Sequence, residues 1–411
     1  MRIAQIAPLW ELVPPRTYGG TELVVYNLTE GLVKRGHEVT LFAAAGSTTS
    51  AQLQPCAPSA LRTMEERFKN DKTHCTVMGY ELKMLEEVFA KANHFDVIHN
   101  HVGFQALPFA NFVSVPVVTT LHNALEPEVV RELFEQNAQL PYISISNYQQ
   151  KLWPKLNYAA TIYHGIQMDN FRPDFEPQNK DYFVFLGRMS PEKGPHLAIQ
   201  AAKALGVKLI MAGKVDRVDR LFYKQQLEHL IDGEQIQYIG EVDHHQKVEL
   251  LRNAKATLFP ILWAEPFGLV MIESMACGTP VFALRDGSVP EVIDHGKTGY
   301  IADSLEEMIE ALRQWKAFDR RLVREIAKRR FSAERMVDDH LRLYSKLVHQ
   351  QEQPTPILAK NPLTPTRIAE SKHPATFPNQ TKTIASQAFE FTVLESGHTS
   401  EISSRGHSRG F

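Results

Sequence analysis

Short apolar runs recur along the chain, separated by longer stretches in which apolar residues return every three to four positions. The short runs are RIAQIAP, HEVTLFAA, FDVIHN, VPVVTTLH, YISIS and ATIYHG, then YFVFLGR, VKLIMAG, IQYIGEV, ATLFPIL, PVFAL and TGYIAD. Runs of this kind predict strands buried on both faces, as in a parallel sheet, and the stretches between them predict helices laid on that sheet. GGTELVVYNLTEGLVKRGH is one such helix. Leu23, Val24, Leu28, Leu32 and Val33 supply its buried face, and Gly36 closes its C-terminal end. The alternation runs, pauses and restarts. That pattern predicts an α/β protein of two facing, Rossmann-like doubly wound domains.

The pause is the polar segment GIQMDNFRPDFEPQNKD, which holds two prolines and no long apolar run. It sets the predicted domains at residues 1–168 and 169–332, followed by a helix over 333–350. Open parallel sheets bind ligands at the carboxyl ends of their strands, so two facing sheets predict one interdomain cleft. After residue 350 the pattern is lost. Residues 351–411 contain six prolines, seven serines and eight threonines, with FEFTVL as a short apolar cluster. A disordered C-terminal tail is predicted there.

Composition narrows the classes. The chain has 411 residues, 43% hydrophobic and 22% charged, enough for two soluble cores. Lys plus Arg number 45 against 47 for Asp plus Glu, so no basic track for nucleic acid is expected. Cys56, Cys75 and Cys277 are far apart and form no CxxC pair, which argues against a disulfide framework or structural zinc. Cys277 reads as a buried packing thiol. The N-terminus MRIAQIAPLW reads as a first strand rather than a signal peptide. No run approaches the roughly 18 apolar residues that span a bilayer. The first 170 residues carry 13 basic and 16 acidic side chains, so membrane association is expected to be peripheral at most. DRRLVREIAKRR, from Asp319, reads as a solvated helix face. A cytoplasmic location is expected.

Four segments carry candidate chemistry. In AEPFGLVMIESMACGTP, Glu265, Pro266, Phe267 and Gly268 lead into a helix through Leu269, Val270, Ile272 and Met275. Its unpaired N–H groups and dipole suit a diphosphate, and Gly268 lets a ligand approach the backbone. Glu265 could equally cap that helix. Glu273 falls in an apolar stretch where an unpaired carboxylate would be costly, which points to a hydroxyl-reading role. In FLGRMSPEKGPHLAI, Arg188 ends a strand and Lys193-Gly194 opens the next helix. Two cations there can neutralise a diphosphate leaving group, although Arg188 could instead pair with Glu192. YGGTE places Gly19, Gly20 and Thr21 between the first strand and the first helix. TTLHN places His122 at a strand end, and VIHNHVG adds His99 and His101. The sequence leaves open which of these three histidines meets substrate. HNH lacks an evident acidic third ligand, so no metal is assigned.

Together, the Glu-x7-Glu pair Glu265 and Glu273 inside EPFGLVMIESMACGTPV, with LGRMSPEKG, the early GG and TLHN, resemble family 4 of the retaining GT-B glycosyltransferases. The resemblance covers roughly residues 1 to 350. It implies transfer of a sugar from a nucleotide-diphosphate sugar to an acceptor hydroxyl, with retention and without metal or other cofactor. The acceptor is expected to be a carbohydrate or small molecule. By the resemblance, Arg188 and Lys193 hold the donor diphosphate and Glu265 contacts the transferred sugar. The backbone of Phe267, Gly268 and Leu269 meets the phosphates, and Glu273 binds the ribose. His122 is the cleft histidine, and Gly19 and Gly20 form the glycine loop. The first domain is then the acceptor side and the second the donor side, with helix 333–350 crossing back onto the first. His164 stands where the family more often has Asn, and as a linker residue it is expected to leave the chemistry unaffected. Absence of GxGxxG after the first strand disfavours a dehydrogenase. A same-fold phosphorylase or epimerase and a non-enzymatic nucleotide-sugar-binding protein are the alternatives.

Overall fold

A computed structural model describes residues 1–17, 19–64, 72–176 and 181–352. The tail expected from 351 onward therefore lies almost wholly outside the described residues. Two parallel sheets are present. The first contains β1 (Arg2–Ile6), β2 (Glu38–Ala44), β3 (Gln52–Ala57), β4 (Val97–Asn100), β5 (Val117–Thr120), β6 (Tyr142–Ser144) and β7 (Tyr158–Thr161), in the order β3-β2-β1-β4-β5-β6-β7. The second contains β8 (Tyr182–Leu186), β9 (Lys208–Ala212), β10 (Ile236–Tyr238), β11 (Thr257–Phe259), β12 (Val281–Leu284) and β13 (Gly299–Ala302), in the order β10-β9-β8-β11-β12-β13. Every residue of β4, β5, β6, β8 and β11 is buried, as expected for strands covered on both faces.

Twelve apolar runs became strands. The thirteenth strand, β3, was not anticipated. Its sequence QLQPCA is half polar, and Pro55 cannot donate to a ladder. It is tolerated because β3 lies at the sheet edge, where its register against β2 shifts beside Ala43 and Ala44.

Each sheet reverses its strand order once, between β1 and β4 in the first and between β8 and β11 in the second. Ligand crevices open at such switch points, beyond the carboxyl ends of the strands. All four candidate segments leave from these strands or an immediate neighbour.

Residues 162–166 carry the chain from the first sheet towards the second, and Phe331–Ala333 carries it back. The two crossings pair with each other: Ile166 N–H donates to Phe331 O at 3.0 Å, and Ala333 N–H to Ile166 O at 2.9 Å. Gly165 lies so close to the return crossing that an added Cβ would stand 2.4 Å from Ser332 O. The final helix, Ala333–Glu352, then packs on the first sheet. Met336, Val337, Leu343 and Tyr344 share one core with Ile3, Val24, Leu28, Leu32, Val97, Val118, Ile143 and Ile162. Arg35 fastens the helix from outside, through Asp338 at 2.8 Å and Glu334 O at 3.1 Å. No described helix is long and apolar enough to cross a membrane.

Candidate functional site

The loop after β8 holds Gly187, Arg188 and Lys193. Strand β8 ends at Leu186, two residues earlier than the sequence suggests, so Arg188 sits on the loop itself. Gly194 then adopts φ 71°, and a Cβ there would stand 2.0 Å from Pro260 O. A glycine is needed because this loop lies directly against the one after β11, to which it is also tied by Leu262 N–H donating to Glu192 O at 2.8 Å. That contact brings Lys193 onto Glu265: the two side chains form an ion pair, and Trp263 Nε1–H donates to the same carboxylate oxygen at 2.8 Å. Lys193 Nζ also stands 5.1 Å over the Trp263 ring. Glu265 is only 9% exposed, so its charge is largely desolvated, while Lys193 is half-buried.

Arg188 does not stand free. Its guanidinium pairs with Glu192, lies 3.1 Å from Asp219 and 3.6 Å from Asp216. The Glu192 pairing was the alternative open in the sequence, while the two aspartates come from the loop after β9.

Gly268 takes φ 80° and begins the helix Leu269–Ala276 with no side-chain cap. The helix therefore keeps its first amide groups unanswered by side chains, on the cleft side of β11. Glu265 does not cap it. Phe267 turns its ring into the core, 5.0 Å from His164, and its carbonyl accepts from Ser288 Oγ at 2.9 Å. Glu273 is 3% exposed, and its charge is met by Lys247 from the helix His244–Asn253. Lys247 carried no signal in the sequence. It lies 26 positions away on an ordinary amphipathic helix.

From the first sheet, Gly19 (φ 147°) and Gly20 open the helix Gly20–Lys34. A Cβ on Gly20 would stand 3.2 Å from the Leu269 side chain, so this loop faces the start of the helix Leu269–Ala276. The two sheets thus contribute their glycine turns to the same place. Behind the turn lies Glu22, 5% exposed, whose carboxyl is pushed up to about 7 by burial and by the nearby Glu11 charge. At the mouth, Arg62 bridges Glu11 at 3.0 Å and Glu241 at 2.6 Å, and Thr17 reaches Glu241 at 3.2 Å. On the opposite side Glu291 accepts from the backbone N–H of Asn147 at 2.7 Å and of Tyr148 at 2.5 Å, answering the N-terminus of the helix Asn147–Leu152.

His122 follows β5 and is hydrogen-bonded to His101 at 2.9 Å. The sequence could not choose among His99, His101 and His122. All three belong to one buried group with His164 and His340, in which His122 is the partly open member. His164 lies on the crossing between the sheets, as expected of a linker residue, and it is also buried, stacks on His122 at 5.3 Å and packs edge-on against Phe267. Burial, reinforced by neighbouring imidazoles, holds His99, His101 and His164 far below the usual histidine range and His122 at about 3; burial, reinforced by the Arg335 charge, holds His340 at about 4. Among the described residues no group of three or more His, Cys, Asp or Glu is arranged to hold a metal.

Two family models match the chain, Glycosyltransferase Family 4 over residues 18–164 and Glycosyl transferases group 1 over residues 167–330. Among curated relatives, a glycogen synthase of Mycobacterium tuberculosis is 27% identical over 348 residues, covering 73% of this chain and 81% of that protein. A D-inositol 3-phosphate glycosyltransferase of Mycolicibacterium smegmatis is 27% identical over 334 residues, covering 69% and 75%. Among solved structures, sucrose-phosphate synthase from Thermosynechococcus elongatus superposes with a TM-score of 0.72 at 17% identity, over 85% of this chain and 100% of that one. Anabaena HepE in complex with UDP and glucose gives 0.64 at 20% identity, over 84% and 99%.

Proposed function

The chain belongs to the family 4, group 1 glycosyltransferases, GT-B enzymes that take a sugar from a nucleotide-sugar donor, and we propose that it transfers this sugar with retention of configuration and without a metal ion. The observation that carries the reading is a convergence. Lys193, Glu265, the uncapped start of the helix Leu269–Ala276 and Gly20 of the opposite sheet meet in one cleft. Cations and helix amides supply the positive potential a diphosphate needs, and the carboxylates supply acceptors for hydroxyl groups.

In this reading residues 169–332 form the donor side and residues 1–168 the acceptor side, with the final helix returning to the latter. Arg188 and Lys193 exchange their carboxylate partners for the diphosphate. The backbone of Phe267, Gly268 and Leu269 meets the phosphates, Glu273 takes the ribose hydroxyls, and the released Glu265 takes hydroxyls of the sugar. Gly19 and Gly20 allow close backbone approach, and His122 lies beside the transferred sugar. The bond between the anomeric carbon and the phosphate oxygen breaks as the acceptor oxygen bonds to the same face. The acceptor proton passes to the departing phosphate, whose growing charge Arg188 and Lys193 stabilise. The acceptor is a carbohydrate or small-molecule hydroxyl. Three free thiols fit a reducing cytoplasm.

HepE was solved with UDP and glucose, which makes UDP-hexoses the first donors to assay. Thermal shift across a panel of nucleotide sugars identifies the donor, since a ligand stabilises the state it binds. With that donor, Arg188→Ala and Lys193→Ala should each lower turnover about a hundredfold or more while the fold survives. Near-normal rates in either variant would remove the assignment. Release of nucleoside diphosphate coupled to glycosylation of an acceptor excludes phosphorylase, epimerase and binding-protein roles together.

A further inference from the structure

A line of hydrogen bonds runs inward from His122. His122 Nε2 faces His101 Nδ1 at 2.9 Å, and His101 Nε2 faces Gln5 Oε1 at 2.8 Å. Gln5 Nε2 faces Tyr344 Oη at 3.3 Å, Tyr344 Oη faces His99 Nδ1 at 2.5 Å, and His99 Nε2 faces Thr120 Oγ1 at 2.7 Å. Gln5, His99, His101, Thr120 and Tyr344 are all buried, so solvent does not compete for these groups.

With the Gln5 amide oxygen facing His101 and its NH2 facing Tyr344, the direction of each bond follows. A carbonyl oxygen only accepts, so His101 must carry its proton on Nε2. A neutral imidazole has one N–H, so His101 Nδ1 is bare and must accept from His122 Nε2–H. His122 Nδ1 is then bare as well, and no described protein group hydrogen-bonds to it. At the other end, Tyr344 accepts from the Gln5 amide and, with His99 protonated on Nε2 toward Thr120, gives its only proton to His99 Nδ1. That bond holds the Gln5 amide the right way round.

We propose that Gln5, His101 and Tyr344 are positioning residues that fix the proton of His122 on Nε2 and leave Nδ1 as an acceptor for a hydroxyl of the transferred sugar. The hydroxyl contact rests on the proposed donor site, whereas the fixed tautomer does not. The aligned bonds polarise one another, so the preference accumulates along the line. Tyr344 stands on the final helix, which gives that helix a part in the site without touching substrate.

The test uses the full chain labelled with 15N-histidine. Long-range proton–nitrogen correlation distinguishes bare from protonated ring nitrogens, and the His122 signals are assigned by their loss in His122→Gln. In the wild type, Nε2 should be protonated and Nδ1 bare. Gln5→Met removes the acceptor opposite His101 and should reverse both rings, placing the His122 proton on Nδ1. Tyr344→Phe, a milder change, should give a mixture of the two tautomers. Both variants should lose about tenfold in kcat/KM for the donor. Wild-type His122 protonated on Nδ1, or a wild-type tautomer in both variants, overturns the proposal. A reversed tautomer with unchanged kcat/KM supports the relay and instead removes His122 from the proposed donor site.

Discussion

Acidifying the solution from about pH 7.5 to about pH 6 should weaken the fold through the five buried histidines, His99, His101, His122, His164 and His340. In the folded chain burial keeps all five neutral across this range. In the unfolded chain each has the ordinary value of about 6.5 and is about three-quarters protonated at about pH 6. The sign follows from the lowered folded values. The stability these groups confer is fully present above about 6.5 and is lost as the pH falls towards their folded values. Unfolding at about pH 6 should therefore take up just under four protons at the five sites. Glu22 acts in the opposite direction. Its folded value of about 7 lies above its unfolded one, so it returns about one proton and gains stability as the pH falls through 7. From these six groups together the expectation is an uptake of about three protons at about pH 6, and a loss of about 3 kcal/mol between about pH 7.5 and pH 6. Potentiometric titration of native and urea-unfolded protein gives the uptake directly, without assuming two-state unfolding. Glu22→Gln should raise the uptake by about one proton and increase stability above pH 7 by about 3 kcal/mol. An uptake of less than about one proton at about pH 6 would refute the reasoning, because the imidazoles would then be charged inside the fold.

Three substitutions probe other parts of the molecule. Gly165→Ala forces a Cβ onto Ser332 O and should lower the unfolding temperature by several degrees, and an unchanged melting curve would mean that the crossing is looser than described. Lys247→Met leaves the Glu273 carboxylate buried without its cation and should raise the donor KM about tenfold with kcat little altered, as read from initial rates. A fall in kcat at constant KM would instead put Lys247 in the transition state. Glu291→Gln weakens the hydrogen bonds to Asn147 and Tyr148 and should cost about 1 kcal/mol in urea unfolding, with a larger radius of gyration in solution scattering as the lobes part. A wild-type radius would show that Glu291 does not restrain the cleft.

Local pattern was informative wherever burial was uniform. β8 and β12 announce themselves because a strand packed between helical layers admits few polar residues. β3 does not, since an edge strand with Pro55 answers to only one neighbour. The glycine turns were legible because positive φ and close approach leave few other residues acceptable, as at Gly194 and Gly268. The partners of the charged residues were not. Lys247 meets Glu273, and Asp219 meets Arg188, through loops and helices whose meeting depends on the whole sheet order. The packing of His164 on His122 was hidden for the same reason: being between domains in sequence says nothing of being buried in space.

The final helix also bears on how the chain is made. A ribosome completes β7 at Thr161 long before it reaches Tyr344, yet the core formed by Val97, Val118 and Ile143 of the first sheet with Val24 and Leu28 of the helix Gly20–Lys34 is completed only by residues from Met336 onward. At about 5–20 residues per second, that core waits on the order of ten to forty seconds for its cover. The first half of the polypeptide is thus an unfinished object during synthesis, exposed to chaperones and to its neighbours on the same messenger. A fragment cut at the linker would inherit that bare surface permanently.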